Sequence, residues 1–148
     1  MFRSLTLAVL TVLTAAAAGC TNSPTTPSNF ATFSQSDLRV GTGGDAVNGR
    51  LLIVHYTGWF YDDRATDHKG PVFESSIGGD PFDFVLGAGE VITGWDVGAQ
   101  GMRVGGLRRL IIPPSLAYGA TRSGKIPPNA TLVFEIELLD VQDLTAAQ

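Results

Sequence analysis

The chain has 148 residues, with 10 Lys+Arg against 14 Asp+Glu, two His and one Cys. One domain's length, a 44% hydrophobic fraction and a net charge of −4 exclude wholesale disorder and argue against nucleic-acid binding, which needs clustered cations. The lone Cys excludes an intrachain disulfide framework and a multi-Cys zinc site, and 18 Gly with 8 Pro favour turn-rich β structure over a helical bundle.

Met1–Cys20 has the layout of a secretory signal peptide: Arg3 is its only charge, Leu5–Leu13 is apolar, and small residues follow at Ala15–Gly19. The uncharged run Leu5–Ala18 is 14 residues, short of the ~20 that a membrane-spanning helix needs. Ala17-Ala18-Gly19-Cys20 resembles a bacterial lipobox, with Ala17 at the place usually held by Leu. The expectation is lipidation of Cys20 and anchoring in the cell envelope through several acyl chains, since one chain holds a membrane only marginally. Thr21 rather than Asp after Cys20 points to the outer membrane if the cell is Gram-negative. Thr21–Asn29 is polar, Pro-rich and uncharged, as a tether is. The expected division is a leader over 1–20, a tether over 21–36 and one folded domain over 37–148.

Within that domain, Leu51–Tyr56 is a short β-branched run that predicts a strand. Phe82–Leu86 alternates and ends at the turn Gly87-Ala88-Gly89. Ile92–Gln100 is a weak helix, because Gly94 and Gly98 each lower its propensity by up to ~1 kcal/mol. Trp95 is the residue able to hold it by packing. Leu107–Ile112 is a strand stopped by Pro113-Pro114, and its adjacent Arg108 and Arg109 should place one cation outward. Thr131–Val141 alternates most clearly, with Leu132, Phe134, Ile136 and Leu138 on one face. The expected fold is α+β: an antiparallel sheet curled over one short helix.

Six segments then occur in order: Val54–Gly58, Phe73–Ser76, Phe82–Gly87, Glu90–Trp95, Met102–Gly119 and Ile126–Phe134. Together they resemble the FKBP family of peptidyl-prolyl cis–trans isomerases over roughly Asp37–Val141. The resemblance implies a half-barrel wrapped around the helix, with a proline site between them. It places Trp95 under the prolyl ring, Tyr56, Phe84, Val91, Ile92 and Phe134 in the walls, Phe73 and Phe82 at the rim, and Ile126 at the lip. It gives the Ile92 backbone N–H and the Tyr118 hydroxyl one substrate carbonyl each. Its implied partners are Pro-containing polypeptides, with an apolar residue preferred before Pro, and macrolides such as tacrolimus and rapamycin. The chemistry needs no nucleophile, metal or cofactor, because the barrier is amide resonance. A monomer is the default, since the helical dimerising arm of some relatives is missing.

The chain departs from the family pattern in three places. Glu74 stands where Asp is usual, in a position that pairs with Tyr56; one extra methylene weakens the expectation of full activity and keeps a non-catalytic proline-binding module open as the alternative. Fourteen residues, Trp59–Val72, separate the first two motifs, and a bulge or flap near the site is expected there. Asp62, Asp63, Asp67 and His68 within it are better explained as a solvated surface than as a metal site. Lys125 occupies a position that is often apolar. His55 reads as a packed or hydrogen-bonded strand residue, and Ser75-Ser76 are expected to have no nearby His to build a triad.

Overall fold

The computed structural model describes residues 31–144. The leader, Cys20 and the tether as far as residue 30 lie outside the described residues. The elements run β1 (Ser34–Arg39), β2 (Arg50–Tyr61), β3 (Lys69–Ser75), β4 (Phe82–Val85), α1 (Thr93–Gly98), β5 (Leu107–Ile112), a 3-10 turn (Pro114–Leu116) and β6 (Leu132–Asp143). The strands form one antiparallel sheet in the order β1-β5-β6-β2-β3, and β4 also pairs with β2. The first half of β2 pairs with β4 (Leu51↔Val85 to Val54↔Phe82), and its second half pairs with β3 (Thr57↔Ser75 to Tyr61↔Lys69). The two short strands therefore follow one another along one edge of β2, while β6 takes the other edge from Arg50 to Phe60.

The alternation of β6 is realised: Leu132, Phe134, Ile136 and Leu138 are buried, and they join Leu52, Val54, Phe84, Leu86, Leu110 and Ile112 in one core. Each such side chain contributes about 1.5–3 kcal/mol when fully buried. On the opposite face Glu135 accepts from Arg109 (2.8 Å) and pairs with Lys69 (2.6 Å), whose ammonium also lies 4.3 Å from the centre of the Trp59 ring.

The helix is one turn and a half, shorter than expected, and it is held by proximity rather than propensity. A Cβ on Gly94 would collide with Ile112, and one on Gly98 would lie 2.6 Å from Leu110. The two glycines thus let the helix backbone lie directly on β5. Arg108 completes the attachment. Its guanidinium donates to the Gly98 and Gln100 carbonyls at 2.9 Å and to the Asp37 carboxylate at 2.6 and 3.1 Å. It satisfies orphan carbonyls at the helix C-terminus and ties β1 to the same point. Arg108 is the inward member of the Arg pair and Arg109 the outward one.

Two strands differ from expectation. β1 starts at Ser34, three residues inside the stretch read as tether. All six of its residues are exposed, so no hydrophobic pattern marks it; backbone pairing with β5 and the Asp37–Arg108 ion pair hold it. The bulge or flap expected at Trp59–Val72 is a bulged hairpin. β2 runs on to Tyr61 and β3 starts at Lys69, with register shifts beside Trp59. Asp62 accepts from the Arg64 backbone and guanidinium, Asp67 from the Lys69 backbone, and His68 stacks on Tyr61 at 5.0 Å. The Arg64 side chain holds the Asp62 carboxyl below its usual range. These residues close a turn.

Candidate active site

The loop from β4 into α1 is fixed by two carboxylates. Asp96 accepts from the Gly87 and Gly89 backbone N–H groups at 2.9 and 3.1 Å, and Glu90 accepts from Val85 N–H at 2.8 Å. They hold Val91 and Ile92 against the entry to the helix, where the Trp95 N–H donates to the Ile92 carbonyl at 2.9 Å. Across the hollow, the Ser76 hydroxyl bonds both His55 Nδ1 (3.0 Å) and the Tyr56 N–H (2.9 Å). Ser76 N–H donates in turn to the Tyr56 carbonyl at 3.0 Å. Strand pairing has brought His55 to Ser76, which their sequence separation hid. The hydroxyl is committed to the Tyr56 backbone, and the pair pins Tyr56 in place.

Between these walls lies a cavity of about 460 Å³, within the range of small-ligand sites. It is lined by Tyr56, Glu74, Phe82, Glu90, Val91, Ile92, Trp95, Tyr118 and Phe134. Trp95 is its centre. Three rings meet the indole nearly at right angles: Tyr56 at 5.0 Å, Phe134 at 5.3 Å and Phe82 at 5.9 Å. Such edge-to-face contacts suit the aromatic quadrupole. The indole N–H is buried and has no hydrogen-bond partner.

The structure gathers most, but not all, of the expected residues in this cavity. Phe84 is not in the wall. It is buried behind it, with its ring 5.6 Å from Trp95, because its strand position faces the core. Phe73 and Ile126 line a second hollow of about 620 Å³, which shares Glu74 and Tyr118 with the first. Lys125 lines this second hollow as well. Glu90 lines the first cavity although no role was expected of it. Its place directly before Val91 was the available signal.

The electrostatics centre on two phenols and one carboxylate. Burial, then the neighbouring Glu74 carboxylate, pushes the Tyr56 hydroxyl up to about 12. The same two causes, in the same order, raise Tyr118. Both phenols therefore remain protonated donors through the neutral range. A concave aromatic surface with fixed donors and no nucleophile–base pair facing into it can bind and reshape an uncharged group. It is not built for covalent chemistry.

Residues 43–139 match the family model described as FKBP-type peptidyl-prolyl cis-trans isomerase. The chain is 47% identical over 109 residues to the FK506-binding protein of Neisseria meningitidis serogroup A, covering 72% of this chain and 94% of that one. It is 48% identical over 106 residues to FK506-binding protein 4 of Neurospora crassa, covering 72% of this chain and about a fifth (21%) of that much longer protein. The crystal structure of FkpA from Escherichia coli superposes with a TM-score of 0.64 at 37% identity, over 75% of this chain and 48% of that one. On this family match, this sequence identity and this structural likeness, the chain belongs to the FKBP-type peptidyl-prolyl cis–trans isomerase family.

Proposed function

We propose that this isomerase acts on exported polypeptides at the cell envelope, held there by a lipidated Cys20, and that it turns X–Pro bonds in the Trp95 cavity. The observation that carries the site is the box of rings around Trp95, which offers a prolyl ring an apolar seat. Rotation about the peptide bond breaks its conjugation, and the twisted amide is less polar than the planar one. An apolar enclosure therefore binds the twisted form better than the planar form, and this differential binding lowers the barrier. A turnover on the order of 10²–10³ per second needs about 5–7 kcal/mol of barrier reduction. Tyr118 donates to a substrate carbonyl and the Ile92 N–H to another, so the chain on either side is held while the amide turns. The same seat accommodates macrolides such as tacrolimus and rapamycin.

A protease-coupled assay on a proline peptide, with the purified full-length protein, tests the catalysis. A rate above the uncatalysed exchange, inhibited by tacrolimus, is expected; no acceleration by a folded protein that still binds the peptide would favour the alternative of a non-catalytic proline-binding module, for which Glu74 in place of Asp is the specific argument. Membrane anchoring rests on Met1–Cys20. Metabolic labelling with a fatty acid should mark the native protein and not Cys20→Ala; label in both, or in neither, rejects the anchor.

A further inference from the structure

The second hollow adjoins the prolyl cavity, sharing Glu74 and Tyr118 with it, so a chain that leaves Trp95 on that side passes over it. Consecutive Cα atoms are 3.8 Å apart, which puts a residue within two positions of the proline over this hollow. Phe73 lines it from β3. A tight turn lines it as well, whose ends, Ser123 and Ile126, exchange backbone hydrogen bonds of 3.1 and 2.8 Å, so Lys125 stands at the tip.

The charges around that turn are unusual for this protein. Every other Lys and Arg among the described residues is in an ion pair. Arg122 and Lys125 alone are not, and both are exposed in the loop that forms this turn. An acidic chain has thus left its two free cations, among these residues, beside the substrate path. Glu74 lies on the shared wall beside the two phenols and does not pair with Lys125, so a negative group is favoured at the turn that carries Lys125 and not beside Glu74.

From this juxtaposition we infer that the enzyme selects prolyl segments carrying an Asp or Glu within two residues of the proline, with Arg122 and Lys125 reading the acid. The inference rests on the isomerase reading of the neighbouring cavity. It adds an acidic requirement that the apolar cavity does not itself supply.

The test uses the full-length protein and a set of peptides in which Glu or Gln occupies, in turn, each of the two positions before and after Pro. At least one position should show a Glu:Gln ratio of kcat/KM of about three- to fivefold at low salt, the size expected of solvent-exposed ion pairs. The ratio should fall towards one at about 0.5 M salt, where screening shortens to a few Å, and in the variant R122Q/K125Q. Lys125→Glu should reverse it, favouring Lys over Gln at that position. Ratios of one at all four positions overturn the inference, as does a preference that survives both charge removal and salt. If no peptide is isomerised at all, it is the isomerase reading that fails. Peptide affinities read by tryptophan fluorescence then decide the acid preference by the same ratio.

Discussion

The Tyr56 ring stands edge-on to the Trp95 indole, with centroids 5.0 Å apart and planes at 81°. One comes from the middle of β2 and the other from α1, so their contact is where sheet and helix jointly make the cavity. Trp95→Ala should cost about 3–5 kcal/mol of stability, the usual range for emptying a buried aromatic site, and should also abolish tacrolimus binding. Urea unfolding with a ligand titration checks both. A stable variant that still binds would remove Trp95 from the site.

Tyr118 is partly exposed and carries little packing. Tyr118→Phe should leave the unfolding midpoint nearly unchanged and lower kcat/KM by up to about tenfold, the worth of one hydrogen bond. The raised phenols add a pH prediction. Their pKa values lie above the ordinary tyrosine value of 10.0, so the protonated donors persist as pH rises through 10. Activity should show no loss attributable to tyrosine between about pH 6 and 9. A fall in that interval, absent from Tyr118→Phe, would contradict the shift.

Glu74 faces both phenols with one methylene more than Asp would have. Glu74→Asp should give equal or higher turnover, because it restores the shorter reach that the family pattern implies. A loss approaching 10²-fold, the scale of a 1 Å misplacement, would show that the longer side chain is fitted to this cavity.

Gly94→Ala should destabilise. In an exposed helix that change gains up to about 1 kcal/mol of propensity. Here the new methyl meets the Ile112 side chain, and overpacking of this kind costs about 1–3 kcal/mol. Thermal unfolding with a raised midpoint would refute the close approach of helix and sheet.

Glu135 titrates against two cations. Burial works to raise its carboxyl, and hydrogen bonds from Lys69 and Arg109 overcome this, so its pKa is lowered. Its contribution to stability is therefore complete above the ordinary Glu value of 4.5 and is lost as pH falls through the lowered folded value. Glu135→Gln should flatten the acid limb of stability against pH. An unchanged limb would mean the ion pairs contribute nothing there.

Most of the sheet was legible because its inner face alternates. Leu132 to Leu138 announce their strand through period-two alternation, and Leu107 to Ile112 through a short apolar run that Pro113-Pro114 stops. β1 was not, since Ser34–Arg39 buries nothing and depends on Asp37 finding Arg108 seventy-one residues away. The hairpin beyond Gly58 was read only as a bulge or flap, because its pairing passes through register shifts that break the alternation. At the site, Trp95, Tyr56 and Tyr118 were found through motif resemblance, and the placement of Phe84 failed on a question of which way one strand residue faces. The Ser76–His55 contact exists only across strands, so distance along the chain concealed it.

The glycine-floored seating of α1 on β5 has a thermodynamic corollary. A helix of six residues would scarcely persist in water, yet this one is locked by backbone contact and by Arg108. The entropy of shaping the cavity is thus spent at folding. An arriving proline segment meets a preformed receptacle and need only surrender its own freedom, which favours rapid encounter over slow, adaptive capture.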